Sequence, residues 1–308
     1  MTNRPALLIM QRHLAPLTAF LESEWTVYRF WEGPSAEVQG QIRALVVAGE
    51  FPLDKALIES LPALSLIACF TSGYDGIDVD WCRARGLPVT HAPGVNHEDV
   101  ADHALGLILA GRRQIAAGDR SLRAGGWTVD SKMITPSLKG QRLGIVGLGS
   151  IGEAVARRAG AMRMVVRWWG PREKESLWPR SDSLLDLARD SDILVVACKA
   201  DESNRGLISR AVIEALGPQG LLVNVARGQL VDETALIAAL KDGRLGQAAL
   251  DVFEDEPTPA ARWADVPNTV LTPHTGGATT EAVQGMLMLL IQNLRAAFAG
   301  EPLVTPVT

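Results

Sequence analysis

The apolar run Arg142-Leu143-Gly144-Ile145-Val146 leads straight into Gly147-Leu148-Gly149-Ser150-Ile151-Gly152, and then into a helical stretch rich in Ala, Val and Arg. No other feature narrows the fold as much. Between a strand and a helix, each glycine has a physical task. Gly147 permits the tight turn, Gly149 lets the backbone approach a pyrophosphate, and Gly152 lets the helix pack closely on the strand. The free amides and positive end of the helix then face the phosphates. A tight turn without a ligand is the alternative; the flanking strand and helix favour a dinucleotide site in a parallel α/β fold.

Short apolar runs alternate with amphipathic stretches along the rest of the chain, as a parallel α/β protein requires. The first strand set is Ala6–Met10, Val27–Phe30, Ala44–Ala48, Leu66–Cys69 and Val89–His91. The second is Arg142–Val146, Val165–Trp169, Ile193–Cys198, Leu221–Asn224, Ala248–Leu250 and Val270–Leu271, with helices such as Gly152–Ala161 and Glu233–Lys241 between them. At about 150 residues per domain, 308 residues make about two domains. A single long helix from Asp99 to about Arg123 is predicted between the sets. A second, carrying Val283, Leu287, Leu290, Ile291, Leu294 and Phe298 on one face, is predicted before Gly300.

The choice of nucleotide turns on the second strand of the second set. In NAD sites a carboxylate about 20 residues past the glycines binds the ribose hydroxyl. Here the strand ends Trp168-Trp169-Gly170-Pro171-Arg172, with no Asp or Glu between Glu153 and Glu173. Arg172 is placed to clamp a 2′-phosphate, since a guanidinium makes charge-assisted bonds to phosphate. NADP(H) is favoured, and NAD(H) stays open if Glu173 reaches the ribose instead.

Three further motifs each follow a strand: Asn224-Val225-Ala226-Arg227-Gly228, Asp251-Val252-Phe253-Glu254-Asp255-Glu256-Pro257 and Pro273-His274-Thr275-Gly276-Gly277. Ligands of open parallel sheets collect beyond the carboxyl ends of the strands, so the three motifs can converge. Together they suit reduction of a 2-keto acid. Arg227 would hold the substrate carboxylate in a fork. His274 would protonate the carbonyl oxygen as hydride arrives, and Glu256 would keep that imidazole charged.

On the residues GLGSIG, NVARG, ALDVFEDEP and TPHTGG, in that order, the chain resembles the D-isomer-specific 2-hydroxyacid dehydrogenase family, and within it the NADP-linked glyoxylate/hydroxypyruvate and hydroxyphenylpyruvate reductases. The resemblance covers nearly the whole chain, including Ser72-Gly73-Tyr74-Asp75-Gly76 and the hinge-like Ala92-Pro93-Gly94. It implies two doubly wound parallel-sheet domains, a Rossmann dinucleotide domain (98–279) inserted in a flavodoxin-like substrate domain (1–97 and 280–308), with hinge closure between them. It also implies roles: Arg227, Glu256 and His274 as the catalytic set, and Ser72 and Gly73 amides sharing the substrate carboxylate. Ser150 and Ile151 would meet the pyrophosphate, while Ala226, Asp251 and Gly276 or Gly277 would hold the nicotinamide carboxamide. A homodimer built through the long helix is implied as well; among the tryptophans, which read as core or interface, Trp127 is the best candidate for a dimer contact.

Some features depart from the family pattern. Gly170 stands where NAD-using members have Asp, and Arg172 lies one position later than the arginine of some NADP-using relatives. Lys199 stands where relatives often have Pro and reads as solvated. Glu50-Phe51 would border the substrate side chain, with Phe51 favouring an apolar substituent. Rival readings are an oxidative NAD-dependent dehydrogenase and a dinucleotide-sensing corepressor.

Composition excludes other classes. With 30 basic against 35 acidic residues and a net charge of −5, nucleic acid is a poor partner. Met286 to Ile291 is too short an apolar run for a membrane span, and the N-terminus lacks a secretory signal. Cys69, Cys82 and Cys198, odd in number and far apart, suit reduced thiols in a cytoplasm. His97 and His103 are neither one helical turn nor two apart, so a metal site is not expected and a polar helix start is.

Overall fold

The computed structural model describes residues 4–307. The chain divides into two units, one ending at Asn96 and resuming at Thr280, the other running from His97 to Thr279.

The first unit holds a parallel five-stranded sheet, β1 (Ala6–Ile9), β2 (Thr26–Arg29), β3 (Ile42–Val47), β4 (Leu66–Cys69) and β5 (Val89–Thr90), in the order β2-β1-β3-β4-β5. That is the flavodoxin-like order. β1, β3 and β4 read as nearly unbroken apolar runs because both faces of the sheet are covered. Leu7, Ile9, Ala44, Val46, Leu66 and Ala68 pack on one side. Leu8, Leu45, Val47, Ile67 and Cys69 pack on the other. Each such Leu or Ile contributes about 1.5–3 kcal/mol by leaving water.

The helix Thr280–Ala299 covers the first of these faces. Its apolar stripe is rotated from the one the sequence predicts: Ala282, Met286, Leu290 and Leu294 are buried, whereas Val283 is 42% exposed. Asn293 explains the rotation. This buried amide donates to Leu289 O (2.8 Å) and Thr305 Oγ1 (2.7 Å), and accepts from the amides of Val304 (3.0 Å) and Thr305 (3.1 Å). A polar side chain so fully satisfied belongs inside, and it ties the C-terminal segment to the helix. The same helix has the length and mean hydropathy of a membrane span, although the uninterrupted apolar run within it is only Met286–Ile291. It nevertheless carries Glu281 and Arg295 and buries its stripe against the sheet, as a core helix does.

The second unit holds a parallel six-stranded sheet: β6 (Arg142–Val146), β7 (Val165–Trp169), β8 (Ile193–Val196), β9 (Leu221–Asn224), β10 (Gln247–Leu250) and β11 (Thr269–Leu271), ordered β11-β10-β9-β8-β6-β7. The strand order reverses between β6 and β8, and the glycine-rich turn leaves the sheet at that point.

The long helix predicted over Asp99–Arg123 is instead two, His97–Arg112 and Ile115–Arg123, broken at Gln114 with φ +51°. The break is accompanied by Arg112, whose buried guanidinium donates to Gln141 Oε1 (2.8 Å) and Gln219 O (2.7 Å). These bonds hold the end of the first helix against the sheet. The second helix buries no residue within the chain.

Candidate active site

The turn after β6 has the geometry its glycines suggest. Gly147 adopts φ +92°, and a Cβ there would lie 2.5 Å from Cys198 Cα. A Cβ on Gly152 would lie 2.1 Å from Gly147 O, so the helix Ser150–Ala161 sits directly on the turn. Gly149 faces open space and caps that helix with no side-chain hydrogen bond, so Ser150 and Ile151 begin a helix whose end carries no capping side chain. Glu153 in the first turn would repel a phosphate. Lys174 answers it, its Nζ lying 2.5 Å from Glu153 Oε1 and 2.7 Å from Leu148 O.

Past β7, Arg172 is exposed. Glu173 is 90% exposed, with Arg180 Nη1 3.8 Å away. Arg180 also donates to Gly170 O (2.9 Å), which braces the loop that carries Arg172.

The loops after β9, β10 and β11 bring the three predicted residues together. His274 Nδ1 lies 2.6 Å from Glu256 Oε2, and Glu256 Oε1 accepts the Phe253 amide at 2.9 Å. The hydrogen bond to Glu256 raises the His274 pKa above its ordinary value. Burial and Arg227 oppose that shift, the charge of Glu256 adds to it, and the increase prevails. Burial pushes Glu256 up, but the bond and charge of His274, the Phe253 amide and Arg227 together hold it below the usual carboxylate value. Arg227 therefore acts electrostatically on both. Its Nη1 donates to Ala226 O at 2.7 Å, and the Ala226 amide donates to Asn224 Oδ1 at 3.0 Å. Gly228 closes the arrangement, because a Cβ there would overlap Phe253 C at 1.8 Å. The Arg227 loop and the Glu256 loop are thus stacked backbone on backbone.

His274 has φ +53°, which a non-glycine residue adopts at a cost of about 1–3 kcal/mol. Asp251 holds it there. Its main-chain oxygen accepts the His274 amide (2.8 Å), Oδ1 accepts the Thr275 amide (2.9 Å) and Oδ2 the Gly276 amide (2.8 Å). Burial pushes this carboxyl up, but His103, Thr272 and the two amides outweigh it, and Asp251 stays below its ordinary value. Gly277 follows in the same turn and is half-buried.

In the first unit, Ser72, Gly73 and Phe51 lie at the carboxyl end of the five-stranded sheet. Ser72 Oγ donates to Ala92 O at 2.6 Å. A Cβ on Gly49 would lie 2.3 Å from Gly73 O, and one on Gly76 2.1 Å from Phe51 O, so the loops after β3 and β4 are tightly packed together. Glu50 Oε2 accepts the Thr71 hydroxyl at 3.0 Å.

Residues 105–276 match the family model for the NAD-binding domain of D-isomer-specific 2-hydroxyacid dehydrogenases. The chain belongs to that family. It is 41% identical to glyoxylate/hydroxypyruvate reductase A of Arabidopsis thaliana, covering 96% of this chain and 97% of that protein, and 40% identical to hydroxyphenylpyruvate reductase of Plectranthus scutellarioides over the same shares. Among solved structures it resembles an NADPH-dependent glyoxylate/hydroxypyruvate reductase from Sinorhizobium meliloti, complexed with NADP and malonate. The identity there is 34%, the TM-score 0.91, and the coverage 99% and 97% of the two chains.

In this dehydrogenase, the sequence motifs left several side chains at the site unnoticed. Lys174, Arg180 and Thr272 act through tertiary contacts, and no local pattern marks them. Asn224 could have been found: it is a polar residue ending an otherwise apolar strand, and its amide donates to Arg227 O (2.9 Å) while its Oδ1 accepts from Ala226 N.

Proposed function

We propose that this dehydrogenase reduces small 2-keto acids, glyoxylate and hydroxypyruvate first among them, to D-2-hydroxy acids with NADPH. The observation that carries the reading is the 2.6 Å contact between His274 and Glu256 beside Arg227. When bound, the dihydronicotinamide supplies the hydride. Arg227 holds the substrate carboxylate, which orients C2. His274, kept charged by Glu256, gives its Nε2 proton to the carbonyl oxygen as negative charge develops there. Asp251 and Gly276 fix the turn that aims the imidazole; with Ala226 and Gly277 they also border the place assigned to the carboxamide.

NADP(H) is favoured over NAD(H) by Arg172 and by the absence of a carboxylate at the end of β7. We assign residues 98–279 to the dinucleotide and residues 1–97 and 280–308, with Ser72, Gly73 and Phe51, to the substrate. A homodimer is favoured because Ile115, Leu122, Trp127, Val129, Met133 and Ile134, all more than half exposed, run along one segment. Three unpaired cysteines suit a reducing, cytoplasmic compartment.

The test is NADPH oxidation across a panel of 2-keto acids, with His274→Ala as control. Turnover that falls at least about 100-fold in the control supports the reading. Tight cofactor binding without turnover of any acid would favour a nucleotide sensor instead.

A further inference from the structure

His103 has no place in the reaction described so far. It projects from the helix His97–Arg112, and its Nε2 lies 2.9 Å from Thr272 Oγ1 and 3.2 Å from Asp251 Oδ1. Thr272 Oγ1 lies 2.6 Å from the same Asp251 oxygen. These distances determine where the protons are. Asp251 is held ionised by burial-defying hydrogen bonds and can only accept. The Thr272 hydroxyl proton therefore points at Asp251 Oδ1, since two bare oxygens at that separation would repel. It cannot also point at His103, so His103 Nε2 carries the proton it shares with Thr272. Donation runs in one direction, from His103 to Thr272 to Asp251.

That chain ends on the group that shapes the His274 turn. Asp251 receives His274 N on its main-chain oxygen, Thr275 N on Oδ1 and Gly276 N on Oδ2. The imidazole of His103 is also wedged against the turn, because a Cβ on Gly276 would lie 3.4 Å from His103 Cδ2. We propose that His103 is a positioning residue: donating from Nε2, it locks Thr272 and Asp251 and so holds the left-handed turn that aims His274. The proposal rests on His274 being the proton donor.

The charged groups acting on His274 are Glu256, Arg227 and Asp251. His103 is faced by Asp251 at 3.2 Å, and on its own helix Asp99 stands one turn back. Losing the His103 donor leaves Thr272 Oγ1 held only by its bond to Asp251, loosens the turn, and lengthens the His274–Glu256 contact on average. Two readings should then change together. kcat should fall roughly 10- to 100-fold, as misplacement of a reacting group by up to about 1 Å does. The His274 pKa should also drop toward that of a free imidazole.

The experiment is a pH titration of the five histidine side chains by carbon-13 NMR, with kcat and KM measured in parallel, for the parent, His103→Ala, His103→Gln and Thr272→Val. The glutamine amide can donate from nearly the same place as Nε2. The expected result is a lower His274 midpoint and lower kcat in His103→Ala and Thr272→Val, with substantial recovery in His103→Gln. An unchanged His274 midpoint in His103→Ala overturns the proposal even if Tm falls, since a merely structural residue would behave that way. Failure of His103→Gln to recover the midpoint also overturns it. If no 2-keto acid turns over, the reductase reading fails, while the NMR titration still decides whether His103 sets the state of His274.

Discussion

At the scale of single residues, the imidazole–carboxylate pair controls pH behaviour. In the proposed reaction His274 gives up a proton, and its pKa is raised, so activity should decline as pH rises through that elevated value. Glu256→Gln removes both the charge and the acceptor, and the decline should move to lower pH in profiles of kcat/KM. A profile that does not move would remove Glu256 from this role. Stability follows the same linkage. The His274 contribution is fully present below about pH 6.5 and lost as pH rises through its folded value. That of Glu256 is present above its ordinary carboxylate value and lost as pH falls through the depressed one. Asp251→Asn is expected to cost about 1–3 kcal/mol, because an amide cannot accept on both sides and leaves either the buried Gly276 amide or the part-buried Thr275 amide unpaired. Denaturant unfolding of the variant would measure it. The pair itself was legible in the sequence, since each residue follows a strand and the strands are parallel. Thr272 and Lys174 were not, because their partners lie far along the chain and nothing local distinguishes them.

At the scale of elements, close backbone approach decides what the turns tolerate. Gly152→Ala would set a methyl 2.1 Å from Gly147 O. The expected result is a loss of about 1–3 kcal/mol by overpacking, together with loss of the stabilisation that NADPH confers in a thermal shift assay. The inner strands of both sheets were readable because strands covered on two faces must be apolar throughout, and the observed ends differ by a residue or two from those expected. The helices were less so. The break falls on Gln114, neither glycine nor proline, three residues past Gly111; it is accompanied by Arg112 finding Gln141 and Gln219 in the folded unit. The face of the helix Thr280–Ala299 was misplaced for a related reason, since Asn293 looks like a solvent residue until the segment at 304–305 supplies its partners.

At the scale of the whole molecule, cofactor preference and assembly can both be read as stability. A ligand at 100 times its Kd stabilises the folded state by about 2.7 kcal/mol. NADPH should therefore raise Tm more than NADH at equal concentration, and Arg172→Ala should erase the difference; an equal rise with both nucleotides in the parent would count against Arg172. If the apolar segment 115–134 is covered by a second copy, Trp127→Asp with Ile134→Asp should halve the mass seen by light scattering. The division of the chain also has a temporal meaning. Residues 97–279 are contiguous and can complete their six-stranded sheet as soon as they leave the ribosome. The five-stranded sheet is made first, and Leu14, Leu17, Leu21 and Trp25 pack with Leu7, Ile9, Val46 and Leu66, but the cluster is not complete until Met286, Leu290 and Leu294 arrive. The earliest strands to be synthesised are thus the last to be fully shielded, and for most of synthesis the part of their face that the C-terminal helix covers is a surface that chaperones can hold.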